Sequence, residues 1–563
     1  MMLQPVGKRK RSEWLLLLLA LAVVAAGGLV LLQKRSPGPA RNYDFSVDPD
    51  AFPEAKPFEV VHLKDGESFS LSAVKVQETI AGAKVKQLAY NGSVPGPFLW
   101  VPQGAHVTVT LANQTGVPTT IHSHGVRQDN AQDGVPDVTQ PAIAPGASYV
   151  YHFRFPDPGI YWYHPHFRDD FEQELGLYGV YMVEPSDKDY WGPANREIPL
   201  VLSDILIKDG VVPEYHADYI NFAFMGRYGN TPLVNGKTRI EIDVKKGEVL
   251  RLFLVDTASA RPFRIQTPGI QMKLVGTDGG RYEREEWTDA VVVAPSERQI
   301  VECFFPKEGE YKLIHHAVDP LVGPRTYELV TFRVSGEEAA PSYAKEFGLL
   351  RENKTAIDEM EALATRFRDT PPDKTIRFLV AVSKQAAKGL EEPGSAPTGA
   401  PKAGAAFPGL LTILAKTGAK VEWEDHMYNQ NKASTSREVH WQIVDLDTGK
   451  VMGQKMEKGM GDMGGNVDWT FKQGSFVKIR IINDIHSIHP MQHPFHMHGE
   501  RFLVLNTNGE DNPNKAWKDT VLVGAGDTMD LLVDMSNPGT WMAHCHILEH
   551  LHSGMMFSFS VAP

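Results

Sequence analysis

Cysteine is nearly absent: only Cys303 and Cys545 occur in 563 residues. A chain so poor in cysteine has no disulfide framework, so one of the two can be kept for its chemistry. Basic excess is also missing, with 57 Lys and Arg against 69 Asp and Glu and a formal charge of −12. Such a balance disfavours nucleic acid as a partner and is compatible with attracting cations, although a soluble acidic surface has the same signature. Few long segments show helical periodicity, whereas 49 Gly and 39 Pro supply many turns. An all-β protein fits that composition better than a helical one. The length is too great for one hydrophobic core and implies several domains.

One long uncharged run is present, the 19 residues from Trp14 to Leu32, preceded by Lys8, Arg9, Lys10 and Arg11. It is about long enough to cross a bilayer as a hydrophobic helix, and the charges before it keep the N-terminus in the cytoplasm. Lys34 and Arg35 stand where a cleavage site needs small neutral residues, which favours an uncleaved anchor. The run Ala25-Ala26-Gly27-Gly28 leaves a cleaved signal as the alternative. Residues 1–40 are thus read as basic tail plus anchor or signal, and the rest as periplasmic or held on the outer face of the cytoplasmic membrane. Residues 1–35 carry a net +5, so removing them from −12 leaves −17 for the exported part.

From about residue 57 the chain alternates as half-buried strands do, for example at His106–Leu111, Tyr149–Phe155, Arg239–Val244 and Lys478–Ile482. Tyr343–Arg368 reads as a helical connector, and the Ala/Pro/Gly-rich residues 385–406 as a loop. Internal repetition is more informative. Pro158-Gly159 precedes His164-Pro165-His166 at the same distance as Pro538-Gly539 precedes His544-Cys545-His546. Upstream, His122-Ser123-His124-Gly125 pairs with His496-Met497-His498-Gly499. A worn third copy lies between, where Gly309 precedes His315-His316 and Gly247–Val255 resembles the strands before each HxHG. The expected architecture is three consecutive β-sandwich domains, at 57–190, 191–340 and 373–563, with a connector at 341–372.

Residues two apart in a strand face the same way, so an HxH pair presents two imidazoles to one side. One such pair is weak evidence for a metal; four in repeat-related positions are strong. In His544-Cys545-His546 the thiol points opposite to its neighbours, so sulfur serves one metal and the flanking imidazoles another. Cys545, His550 and His493 make the His2Cys set of a blue copper, with Met555 as the weak axial thioether. Cys303, in the apolar run Ile300–Phe305, reads as an inert buried thiol.

These segments resemble the four copper signatures of the multicopper oxidase family. The resemblance covers about residues 57–563 and implies three cupredoxin-like Greek-key sandwiches holding four copper ions. It implies a type 1 copper on His493, Cys545, His550 and Met555, and a type 2 copper on His122 and His496. A type 3 pair falls to His124, His164, His166, His498, His544 and His546. The implied activity is oxidation of a reductant (a phenol, an aromatic amine, or a metal ion such as Cu(I), Mn(II) or Fe(II)) one electron at a time. Cys545 carries the electrons onward, and four of them reduce O2 to water. The enzyme is expected to act as a monomer.

Asp133 matches the family's carboxylate near the type 2 site, where a general-acid role is reasonable; a turn-forming Asp-Gly is the plain alternative. Where cuprous-oxidase relatives carry a carboxylate after the last type 1 histidine, this chain has Leu551, which leaves Glu549 or water to supply protons on the type 3 side. Ser123 replaces the usual Trp, and Glu500 stands where His is common. His486, His489 and His552 read as loop residues or supports of the ligands. Met452, Met456, Met460 and Met463 form a Gly-rich cluster that could gather Cu(I), or an adaptable surface loop. Glu422, Glu424 and Asp425 could guide a cation, though exposed acids are common. A nitrite-reductase-like enzyme is disfavoured by the His544-Cys545-His546 arrangement, and a non-catalytic envelope scaffold by the complete ligand set.

Overall fold

The computed structural model describes residues 43–319, 323–383, 420–452 and 467–563. The hydrophobic segment, the loop 385–406 and all the clustered methionines but Met452 lie outside these. Among the described residues no helix is long and apolar enough to cross a membrane. About 8% of the described residues are helical, and their strands form six sheets. Two sheets face each other in each of three successive sandwiches, as expected.

The repeat read from the sequence is visible in the pairing. In the first sandwich, strand Gly159–His164 lies between Gly179–Glu184 and His122–His124, antiparallel to both. In the third, Gly539–Cys545 lies between Met556–Ala562 and His493–Met497 in the same way. In the second, Gly309–Asp319 lies between Gly323–Glu338 and Phe263–Gln266. The three central strands open on glycines with φ of 152°, 145° and 152°. The middle copy is therefore a true repeat that has lost its paired histidines.

All four alternating segments form strands, at His106–Asn113, Ser148–Arg154, Ile240–Lys246 and Ser475–Asn483, with Phe155 and Arg239 each one residue beyond a strand end. In the first of these Val107, Val109 and Leu111 point inward and the residues between them outward, the alternation of a sheet with one face on the core. The second core joins Leu250, Leu252 and Val301 of one sheet to Phe263, Leu313 and Phe332 of the other. In the third, Ile479 and Leu531 meet Phe495, Cys545 and Phe559. Ile160 and Trp162 of the first sandwich pack on Phe253, Val255 and Ile300 of the second. That contact ties the first histidine-bearing strand to its neighbour.

The connector departs from a single helix. It forms two, Ala344–Phe347 and Lys354–Phe367, because the backbone between them is used elsewhere. The Glu285 N–H donates to the Arg351 carbonyl, the Arg351 N–H to the Glu285 carboxylate, and the Asn353 N–H to the Glu283 carbonyl. The longer helix buries Met360 and Ala364 against Leu503, Trp517 and Leu532, a one-sided apolar stripe.

Candidate metal centres

Eight of the predicted histidines converge, all 1% exposed or less. The pairing registers explain why: His122 lies opposite His164, and His496 opposite His544. Strands from the first and third sandwiches thus bring their HxH pairs face to face. The potential ligand atoms of His124, His164 and His546 all lie within 4.8 Å of one another, and so do those of His166, His498 and His544. His122 and His496 form a further group with His124.

Backbone carbonyls decide which nitrogen each ring turns inward. A carbonyl can only accept, so the ring nitrogen facing it carries the proton and the other keeps its lone pair. His122 donates from Nδ1 to the Asp133 carbonyl at 2.8 Å, and His164 to that of Pro165 at 2.7 Å. His496 donates to the Asp519 carbonyl at 2.9 Å and His544 to that of Cys545 at 2.8 Å. Nε2 of His122, His164 and His496 then has no hydrogen-bond partner. His124 is turned round: its Nε2 meets Asp519 and Thr520 at 3.1 and 2.9 Å, leaving Nδ1 without a partner. Burial, reinforced by neighbouring imidazoles, holds His124, His164, His496 and His544 well below the ordinary histidine range. Burial likewise brings His498 and His546 down to about 3. Neutral imidazoles with inward lone pairs are the donors that copper accepts.

Cys545 lies 3.6 Å from His493 Nδ1 and 3.8 Å from His550 Nδ1. Its backbone N–H donates to the Met555 carbonyl at 3.1 Å, and Met555 is wholly buried in the same core. Trp441 stacks on His550 at 4.0 Å and meets His493 edge-on at 4.8 Å. Burial pushes the Cys545 thiol well above the ordinary range, against a weaker pull from the Ile547 N–H. The thiolate of this residue therefore needs a cation. Cys303, buried and pushed up to about 12 by burial, sits among apolar neighbours as expected.

Both HxHG glycines leave room for neighbours. A Cβ on Gly125 would stand 2.3 Å from Asp519 Oδ2, and one on Gly499 2.4 Å from the Trp541 ring. Both have the left-handed φ that suits glycine, 80° and 69°. Asp519 in turn receives two hydrogen bonds from Arg298, at 2.7 and 2.5 Å. Arg298 also donates to the Ile160 carbonyl, so one guanidinium joins all three sandwiches behind His124.

Asp133 reaches two rings, with Oδ2 2.9 Å from His498 Nδ1 and Oδ1 3.2 Å from His122 Nδ1. Burial alone would raise its carboxyl; the two imidazoles outweigh that and hold it below the usual carboxylate range. Glu549 is buried beside Ser259 and raised to about 7, chiefly by burial. Leu551 packs with Val135, Met542 and Met556. His552 Nε2 lies 3.2 Å from Asp169; His486 is exposed and His489 buried. Glu500 accepts the N–H groups of Ser536 and Asn537, which fixes the turn before Gly539. Ser123 meets the Tyr181 hydroxyl at 3.3 Å.

Two expectations need correction. Met452 belongs to the third core, 1% exposed, so its thioether is packed and not on a surface loop. Glu422 is buried, and Glu424 is engaged by Arg261 and Tyr327, so these two are not free surface acids. Sequence reading missed Asp519, Arg298 and Trp441, none of which stands in a recognisable motif.

Family profiles described as "Multicopper oxidase" match residues 73–188 and 433–563. The chain is 24% identical over 519 residues to the multicopper oxidase MmcO of Mycobacterium tuberculosis, covering 84% of this chain and 83% of that protein. It is 24% identical over 514 residues to the multicopper oxidase mco of Staphylococcus aureus, covering 88% of each. A solved structure from Campylobacter jejuni, titled a multicopper oxidase and metallo-oxidase, superposes with a TM-score of 0.63 at 23% identity, over 93% of this chain and 98% of that one.

Proposed function

Because the chain belongs to the multicopper oxidase family, an oxidoreductase that passes electrons from a reductant to O2, we propose that its two histidine-rich sites hold four coppers. His493, Cys545 and His550, with Met555 behind them, are the residues for the type 1 ion. His122 and His496 serve the type 2 ion. The remaining six divide into His124, His164 and His546 for one type 3 ion and His166, His498 and His544 for the other. Copper, when bound, supplies one-electron redox chemistry at the first site and four-electron delivery to O2 at the second.

One observation carries this reading. His498 and His544 oppose their Nε2 atoms at 3.0 Å, while the Nδ1 proton of each is engaged by Asp133 and by the Cys545 carbonyl. Two lone pairs at that separation repel unless a positive charge lies beside them. The chain's own contributions follow from its contacts. Cys545 is bonded directly to His544 and His546, so an electron arriving at sulfur is one residue from both triads. Asp133 orients His498 and His122 and is placed to pass a proton into the same site. Arg298 and Asp519 keep His124 turned with Nδ1 inward. Strand packing around wholly buried Trp162 and Trp541 excludes bulk water from the histidines.

Residues 14–32 are proposed to hold the enzyme on the outer face of the cytoplasmic membrane, with support from the flanking Lys and Arg. The oxidase reading is tested by loading the protein with copper and recording metal content, visible spectrum and O2 uptake together. About four coppers per chain, an intense thiolate-to-copper band and O2 uptake with a phenolic dye are expected. A colourless protein that consumes no O2 after loading contradicts it.

A further inference from the structure

Six of the eight clustered histidines have a ring nitrogen engaged by a carbonyl, a carboxylate or a hydroxyl. His166 and His546 do not: both nitrogens of each ring lack a hydrogen-bond partner. His546 directly follows the end of its strand, and its N–H donates to the Pro494 carbonyl at 2.7 Å. His166 lies two residues past the end of strand Gly159–His164, with its N–H on the Thr120 hydroxyl at 3.1 Å. The direction of the His166 ring is therefore left to the main chain around it.

That main chain is under constraint. Arg168 stands in the left-handed region at φ 47°, a conformation that a non-glycine residue keeps only where its surroundings hold it. Three contacts do so. Its guanidinium donates to Asp170 through Nε and Nη2, at 2.8 and 3.0 Å, and through Nη1 to the Ala217 carbonyl at 3.4 Å. The guanidinium carbon also lies 4.6 Å from the ring centroid of Phe45. Phe45 in turn meets the wholly buried Phe171 edge-on at 5.2 Å, on the helix Asp169–Glu172 that Arg168 opens. A ring that touches both a guanidinium and a second ring is held by cation–π and edge-to-face attraction together. The next residue, Ser46, accepts hydrogen bonds from the wholly buried Lys86 of strand Ala83–Tyr90. Phe45 thus reaches the His166 loop from a segment ahead of the first strand, Val60–His62.

We propose that Phe45 is a positioning residue for the copper ligand His166, closing a clasp on Arg168 that fixes how the chain leaves the ligand. The inference rests on the four-copper reading and adds to it a dependence of the type 3 pair on a segment outside the sandwiches. Without the Phe45 ring, Arg168 relaxes toward ordinary backbone angles. A relaxation two residues from His166 turns its ring away from the ion it shares with His498 and His544. The type 1 site, on His493, Cys545 and His550, has no such dependence.

The test compares the full chain with Phe45→Ala, Phe45→Leu and Phe45→Tyr. A fourth variant, Phe52→Ala, removes a ring from the same segment where Lys75 lies 5.5 Å from its centroid. Each protein is titrated with copper against a competing chelator, while the thiolate-to-copper band and the Cu(II) spin signal are recorded. Phe45→Ala is expected to weaken the uptake of one ion about 10- to 100-fold, with the thiolate-to-copper band unchanged. The ion left without its partner then adds a Cu(II) spin signal that a coupled pair does not give. Phe45→Leu is a milder cut that keeps the test open if the alanine variant does not fold, and its uptake is expected to lie between. Phe45→Tyr is expected to restore the pair, and Phe52→Ala to keep all four ions whatever it costs in stability. A complete, spin-coupled pair in the Ala or Leu variant, copper loss spread evenly over both sites, or an equal loss in Phe52→Ala overturns the inference and leaves the oxidase reading standing. Unaltered protein that takes up no coupled pair overturns both.

Discussion

His498 and His544 point their Nε2 lone pairs at each other across 3.0 Å, because Asp133 and the Cys545 carbonyl have claimed the proton of each ring. A fold that enforces such a contact is stabilised by whatever charge relieves it. Removing copper with a chelator is therefore expected to lower Tm by about 4 °C, from about 4 kcal/mol of linked binding energy at a thousandfold excess over Kd and an unfolding entropy of about 1 kcal/mol/K for a chain of this length. Scanning calorimetry before and after reconstitution checks this. An unchanged Tm would show that the histidines tolerate each other without a metal.

Acid should act in the same direction. His493, His498 and His546 titrate at about 3 in the folded chain, through burial, against an ordinary value of 6.5. Below pH 6.5 the unfolded chain binds protons that the folded chain refuses, so stability falls as pH drops towards 3. Above 6.5 these groups contribute no pH dependence. Each adds a slope of about 1.4 kcal/mol per pH unit within that window. Denaturant titrations of the copper-depleted protein at pH 7.5, 6 and 5 should show a steep loss, smaller when copper occupies the rings.

Asp133→Asn keeps the size of the side chain and removes its charge. The account predicts retained copper and a fall in kcat of about 10²- to 10⁴-fold, with partial recovery in Asp133→Glu. Steady-state O2 uptake beside metal analysis checks it. Full activity in the Asn variant would reduce Asp133 to a turn residue.

Replacing Arg298 with Leu leaves Asp519 buried without its partner. Breaking a buried ion pair in this way costs about 3–5 kcal/mol, and the loss should appear in chemical denaturation. His124 would lose its orientation as well, so uptake of copper by the eight-histidine site should fall with stability.

Much of the site is legible in the sequence because strand geometry is local. Residues 122 and 124, or 544 and 546, must share a face wherever the strand goes, and the glycine-to-histidine spacing repeats for the same reason. The division of the six histidines into two triads is not local: it depends on His122 lying opposite His164 and on the first and third sandwiches meeting. Asp519 escapes for a stronger version of that reason, since it reaches His124 across 395 positions and Arg298 across 221. The burial of Met452 and Glu422 is not legible, because hydropathy and charge pattern do not reveal which single residue of a polar stretch turns into a core. The connector reads as one helix because nothing in its own residues announces the backbone bridge of Glu352 to Arg284.

The most direct test of the central claim is the ratio of reductant oxidised to O2 consumed by the copper-loaded enzyme, with hydrogen peroxide measured in the same vessel. The account predicts four one-electron equivalents per O2 and no accumulated peroxide. Two equivalents per O2, with peroxide appearing in step, would contradict it.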